Sequence, residues 1–421
     1  MGPRSRNLCT GQKPKVCESP TGESQRAARH WTSASSAIHE LDPSSLLWNT
    51  HSMSDSDEGP RHFHRKVDVI IKLGGAAITK KDELETIDDE VLDACVRIIA
   101  KQREKGNPNI VVVHGAGSFG HFSAKKYGVA DGGILEGTGA AASERLRKGV
   151  AETRASVGKL NSIVTSRLVA AGVPAVSLPT FGHWFTYDRG RQRAVRESAP
   201  GLRAVTCSID SGFVPVLHGD VSLDMEQDCA ILSGDTIVRE LCEFLKPKRA
   251  VFITDVPGVF DRAPPPRKDR AAADPPLALL TDVWVERSAA WAVQKAEVGL
   301  EEHADGSVTR DENAATTPDA SSARKRACDI SSDNTGAVLG VKKSHDVTGG
   351  VAGKFHEAVR IVNKASIDVF ITNHHESTGG AAVWGLVDTY AYVDHERLTW
   401  SETEGDAATA KPWFGTLLHP W

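Results

Sequence analysis

No apolar stretch of about 18 residues occurs in this 421-residue chain, which leaves no candidate for a transmembrane helix. The opening Met1-Gly-Pro-Arg-Ser-Arg lacks the apolar core of a secretory signal. CxxC pairs are missing: Cys9, Cys17, Cys95, Cys207, Cys229, Cys242 and Cys328 are scattered and odd in number. Both features argue against a disulfide framework and for reduced, partly buried thiols. Among sixteen histidines the close pairs are His62 with His64 and His374 with His375. Neither has an HExxH frame or a cysteine beside it, so no protein-held metal is expected. A net charge of −5 gives no general case for nucleic acid as a partner. There is no GxxxxGK[ST] loop and no HRD or DFG triplet, and GxGxxG with its ribose-binding acid about twenty residues on is not met.

Residues 1 to about 65 are polar and rich in Ser, Arg and Gly. They cannot bury enough surface to offset ordering entropy, and a disordered extension is expected. Its early part is basic and acid-poor, as in organelle transit peptides, but no Arg-rich amphipathic helix accompanies it, and a cytoplasmic protein is expected. Met53 offers a later start for a shorter form.

From Lys66 the pattern changes. Val67, Val69, Ile70 and Ile71 predict a buried strand. Thr86-Ile87-Asp88-Asp89 reads as a capping-box start to a helix whose face carries Ile87, Val91, Cys95, Ile98 and Ile99. A strand follows at 110–113, then a long helix over about 143–171, and strands at 174–178 and 212–217. Pro215 in the last hints at an exposed hydrogen-bonding position. A helix at 235–245, a strand at 250–254, a helix at 352–363 and a strand at 367–371 complete the alternation. The expected class is α/β, a three-layer αβα sandwich around a mostly parallel sheet. One domain over 66–421 is expected, with lobes of about 66–217 and 218–421. Residues 263–344 contain Pro264-Pro265-Pro266, a possible strand pair at 278–285 and a polar run including Arg324-Lys325-Arg326. They read as a largely disordered insertion with a solvated basic cluster. Polar 375–412, with an apolar island at 383–392, also stands outside the alternation.

The chemistry concentrates in glycine-rich turns that leave strands. Ile70-Ile71-Lys72-Leu73-Gly74-Gly75 places a lysine beside a turn whose backbone can approach a phosphate. Lys80 and Lys81 follow on the same loop. Val111-Val112-Val113-His114-Gly115-Ala116-Gly117-Ser118-Phe119-Gly120-His121 is more specific. Such a turn offers amides to an oxyanion, and His121 adds a donor that titrates near neutrality. His218-Gly219-Asp220, Ser233-Gly234-Asp235 and Thr254-Asp255-Val256-Pro257-Gly258 leave further elements. Asp235 reads either as a helix cap or as a group that orients lysines. Asp346-Val-Thr-Gly-Gly350 runs into a helix bearing Lys354, a cation in a first turn that an anionic ligand would offset. Two phosphate-ready turns suggest two phosphorylated ligands and a transfer between them.

In order and spacing these segments resemble the amino-acid-kinase superfamily, and within it the isopentenyl phosphate kinase branch, across about 66–262 and 344–373. Gly415-Thr416 is similar to the closing turn of that family. The resemblance implies one Mg²⁺-ATP and one isopentenyl monophosphate lying end to end, and isopentenyl diphosphate as product, a feedstock for isoprenoids. It places Lys72, Leu73, Gly74, Gly75, Ala76, Gly117, Gly350 and Lys354 at the ATP phosphates and Thr254, Asp255 and Gly258 near the nucleoside. Ala116 and His121 would hold the substrate phosphate, with Gly219, Asp220 and Gly234 on the substrate side. Lys81 would stabilise the transition state beside Lys72 and Lys354, and Asp235 would orient the lysines. A homodimer is also implied. Ala76 replaces a usual serine, and Val351 a common methionine.

A phosphate monoester is already an anionic nucleophile, so such a reaction needs no general base. Positioning and charge neutralisation carry it. The rivals are a kinase of the same fold with a phosphonate, carboxylate or uridylate acceptor, and a non-catalytic nucleotide sensor. The lysines argue against the sensor, and His121 against a carboxylate acceptor.

Overall fold

In the computed structural model the apolar runs become strands β1 (Val69–Leu73), β2 (Ile110–His114), β3 (Ala175–Ser177), β4 (Phe185–Tyr187), β5 (Arg193–Ala194), β6 (Val214–His218), β7 (Asp220–Asp224), β8 (Asp228–Leu232) and β9 (Arg249–Ile253). They continue with β10 (Ala278–Val285), β11 (Trp291–Val298), β12 (Asp368–Thr372) and β13 (Thr416–Pro420). The structure describes residues 65–133, 139–187, 193–194, 199–262, 276–303, 308–316, 318–328, 350–389, 398–402 and 410–421, all within the unit Phe63–Trp421.

Among the described residues nine strands form the central sheet, in the order β11-β10-β13-β12-β9-β1-β2-β6-β3. From β12 to β3 every neighbour is parallel. Alternation along these strands feeds two apolar layers. Val69, Ile71, Leu73, Ile110, Val112, Val214 and Val216 face one way, against Leu92, Cys95 and Ile99 of α1 (Asp89–Glu104). Leu160, Val164 and Leu168 of α3 (Gly139–Ala170) join that layer. Ile70, Val111, Val113, Leu217, Ala250 and Phe252 face the other way. There they meet α4 (Ala199–Asp210), α5 (Gly234–Leu245) and α7 (Gly350–Ala365) through Val205, Ile237, Leu241, Phe355 and Val362. Burial on both faces is the reason these strands read as unbroken apolar runs. The short α2 (Gly117–Tyr127) packs on α3, and β5-β4-β7-β8 form a smaller sheet.

Several sequence expectations are corrected. Asp88, not Thr86, caps α1, accepting from the Val91 amide. Ser233 caps α5, so Asp235 is released from that task. Pro215 is buried between two strands, and the ladder to β2 starts at Val216, past the residue that lacks an N–H. The described part of the expected disordered insertion is folded. β10 is one eight-residue strand, paired with β13 on one side and β11 on the other. A hairpin of Leu300–Glu302 with Val308–Arg310 follows, and then α6 (Pro318–Cys328), which packs on β11. Arg324, Lys325 and Arg326 therefore lie in a helix rather than a loop. In 375–412 a π-helical turn, Glu376–Gly380, leads into the helix Ala381–Trp384, with Val383 and Trp384 buried. The residues before Arg65, all of 329–349 including Asp346 to Gly349, and 390–397 lie outside the described residues.

Candidate active site

Parallel pairing brings the ends of distant strands to one edge in one register. Leu73 lies opposite His114 and Ile253, His114 opposite His218, and Ile253 opposite Thr372. At the usual strand spacing, the row from His218 to Thr372 is about 19 Å long. The chain order reverses direction across β1, between β2 on one side and β9 on the other, and a crevice for ligands opens at such a point.

Glycines let the turns above this edge close on one another. A Cβ on Gly75 would fall 2.3 Å from the Gly117 nitrogen, and one on Gly115 2.6 Å from the Gly75 nitrogen. The Gly74 amide donates to Ile253 O at 2.8 Å, and Gly115 N–H to Leu73 O at 2.9 Å. Gly117 has a φ of 51°, in the left-handed region. Thr79 ties the turns together: its hydroxyl donates to Gly75 O at 2.7 Å and accepts the Ser118 amide at 3.0 Å. Gly219 N–H donates to His114 O at 2.9 Å, and Gly234 packs on that same carbonyl. The helical turn Gly75–Ile78 and α2 both begin here. Ala77 N–H donates to Gly74 O at 2.9 Å and Phe119 N–H to Ala116 O at 3.2 Å, so the amides at Gly75, Ala76 and Gly117 are the ones each helix start turns toward the edge. Ala76 is exposed at the first of these starts, while Ala116 precedes the second. His121 is half-buried on α2, its ring centroid 5.8 Å from that of Phe122.

A buried charge cluster lies under the turns. Lys72 points from β1 to α5, with Nζ 2.7 Å from Asp235 Oδ1. Lys354 of α7 brings its Nζ to 3.9 Å from Asp235 Oδ2. Burial alone would raise the Asp235 carboxyl, but Lys72 and then Lys354 outweigh it and hold it below the ordinary carboxylate value. Two ammonium groups thus share the Asp235 carboxylate. Lys81 is half exposed and ion-paired to Asp255, just past β9, a carboxylate that Lys354 also favours in its charged form.

Three of the expected contact residues have structural partners in the fold. Leu73 is a core residue, its side chain in an apolar layer and its carbonyl taken by Gly115. Gly258 packs under Thr416, whose Oγ1 accepts the Val259 amide at 2.8 Å, so its lack of a side chain serves the contact with β13. Thr254 is buried and folds its hydroxyl onto Val256 O at 2.8 Å.

On the other flank Asp220 is buried, accepting the Val221 amide at 2.7 Å and Arg154 Nε at 3.3 Å. Burial pushes this carboxyl up, against His218 and Arg154. The Arg154 guanidinium also lies 4.2 Å from the ring centroid of Phe181. His114 and His218 stack with centroids 5.4 Å apart. Burial, with His218 beside it, pushes His114 down to about 3, so the ring is neutral. The bonds define its tautomer: Nδ1–H donates to Gly115 O at 2.9 Å and Nε2 accepts from Asn161 Nδ2 at 3.1 Å. Arg154 and Asn161 of α3 were not anticipated. The available signal was polar residues on the stripe of Val157, Leu160 and Val164.

Interlocked glycine turns and lysines gathered around one carboxylate at a parallel sheet edge define the amino acid kinase class. The family model for amino acid kinases matches residues 69–272. An isopentenyl phosphate kinase of Arabidopsis thaliana is 35% identical over 342 residues, covering 73% of this chain and 87% of that one. Another, from Methanothermobacter thermautotrophicus, is 35% identical over 211 residues, covering 49% and 74%. An X-ray structure of isopentenyl phosphate kinase superposes with a TM-score of 0.51 at 25% identity, over 75% of this chain and 96% of the other. The chain belongs to the isopentenyl phosphate kinase family.

Proposed function

We propose that the protein transfers the γ-phosphoryl group of ATP to isopentenyl monophosphate, giving isopentenyl diphosphate and ADP. The observation that carries this reading is the Lys72–Asp235–Lys354 cluster beneath two interlocked glycine turns at one sheet edge. ATP would lie along β1, β9 and α7, with its phosphates toward Gly74, Gly75, Ala76, Gly117 and Gly350. The acceptor phosphate would lie along β2 and β6, near Ala116, His121, Gly219 and Gly234. Transfer needs neutralised charge on the equatorial oxygens and alignment of the two esters. Lys72 and Lys354 supply the charge, Asp235 holds them in place, and a ring N–H of His121 donates to the acceptor phosphate. Lys81 would exchange Asp255 for the transferring group. Asp220 acts through Arg154 and the turn at Gly219 rather than by touching substrate.

Among the described residues no three His, Cys, Asp or Glu side chains converge as a metal cage. Amides and lysines instead fit polyphosphate oxygens. Mg²⁺ would therefore arrive held by the nucleotide's own phosphates, where it neutralises their charge. A cytoplasmic homodimer completes the reading, tested by sedimentation and by imaging of the tagged protein. The functional test is ADP release with isopentenyl, dimethylallyl, geranyl and farnesyl monophosphates, glutamate and uridylate as acceptors. His121→Ala should raise KM for the monophosphate about 10- to 100-fold, the worth of one charge-assisted hydrogen bond, and leave KM for ATP unchanged.

A further inference from the structure

Helices α5 and α7 meet through two ionic contacts. One is Asp235 with Lys354, described above. The other is Arg239 with Glu357, Nε to Oε2 at 2.7 Å. Asp235 and Arg239 are four residues apart on α5, and Lys354 and Glu357 three apart on α7, so each pair lies one helical turn beyond the other on facing stripes. Arg239 is 8% exposed. Its Nη1 also meets Glu240 Oε1 at 2.8 Å and Glu243 Oε1 at 3.2 Å. Arg360 Nη1 holds the other Glu357 oxygen at 3.0 Å.

Apolar packing already joins these helices, since Ile237 and Leu241 share a core layer with Phe355, Ala358 and Val362. A buried ion pair adds little net stability to such an interface, and its best-attested use is to fix register. The register matters here because Lys354 must stay within reach of Asp235, and a small rotation of α7 would carry its ammonium away. We propose that the Arg239–Glu357 pair positions Lys354 for phosphoryl transfer by fixing the rotation and height of α7 against α5. The proposal rests on the reading that Lys354 faces the transferred group. Arg239 and Glu357 are positioning residues and touch no substrate.

A double-mutant cycle tests this with wild type, Glu357→Gln, Lys354→Ala and the double variant, each assayed for kcat, for both KM values and for melting temperature. Glu357→Gln is the gentler cut, because Arg239 keeps Glu240 and Glu243, whereas loss of Arg239 would remove the partner of both and leave Glu357 with Arg360 alone. In the wild-type background Glu357→Gln should lower kcat about 10- to 100-fold, the scale of a misplaced catalytic group, with both KM values nearly unchanged. In the Lys354→Ala background, assayed at raised enzyme concentration, the same change should cost nothing further. An equal loss in both backgrounds, or an unchanged kcat in the single variant, overturns the proposal. If Glu357→Gln loses its cooperative melt, Arg239→Lys, which keeps the charge and loses the fork, is read by the same criterion. Wild-type turnover is measured first and the cycle is run with whichever acceptor is consumed, so failure of the functional reading is seen separately.

Discussion

Lys72 occupies the next-to-last position of a strand that is buried along its whole length, a costly place for an ammonium without a partner. Asp235 supplies that partner from a helix 163 positions later in the chain. Lys72→Met should destabilise the fold by about 3 kcal/mol, because the buried carboxylate keeps only the more distant Lys354. Calorimetry would show this as a lower melting temperature, and turnover should fall together with it. Because the Asp235 carboxyl is held low in the folded state, its contribution is present above the ordinary aspartate value and lost as pH falls through the folded one. His114 behaves otherwise. Its folded value of about 3 lies below the ordinary 6.5, so between the two only the unfolded chain takes up the proton. Stability is therefore full above pH 6.5 and declines as pH falls toward 3, with buried His218 adding to the slope. Melting temperatures of His114→Asn measured from pH 7 to 4 should fall less steeply than those of the wild type. Parallel curves would contradict the neutral buried imidazole.

Elements carry the site through their ends, and much of this was legible. Val69 to Ile71, Val111 to Val113 and Ala250 to Ile253 are apolar on both faces, which is how a covered parallel strand reads. The glycine turns that follow them mark the active edge. The work of those glycines could not be read from the sequence. Gly75 and Gly115 sit against each other as well as beside any phosphate, a contact between segments about 40 residues apart. Gly117→Ala places a Cβ 2.3 Å from Thr79 Oγ1 at a positive φ. It should cost at least about 1 kcal/mol and most of the turnover, with little change in helix content by circular dichroism. Likewise Asp235 was readable as a cap or as an orienting group, and only the side chain of Ser233 on the Asp235 amide decides between them. Pairings such as Arg154 with Asp220 depend on how α3 crosses the sheet, which no local pattern states.

At the scale of the whole molecule, the segment after β9 reads as disordered because its composition is polar and Ala-rich. Yet Trp291, Val293, Ala296 and Val298 are buried while Gln294 is exposed, the pattern of a strand with one covered face. β11 shields the outer edge of β10, with α6 packed on it. Replacing 287–345 by a short linker should thus expose that edge, lower the melting temperature and promote association, read by light scattering. An unchanged monodisperse protein would show that the sheet ends at β10 without penalty.

The central claim is that the clustered lysines and glycine turns join two phosphate esters. Purified protein given Mg²⁺ and ATP, with ADP release followed across the acceptor panel, tests it most directly. Rapid turnover with isopentenyl monophosphate, and only background rates with glutamate and uridylate, is the predicted result. Consumption of another acceptor, with every prenyl monophosphate left intact, would contradict it.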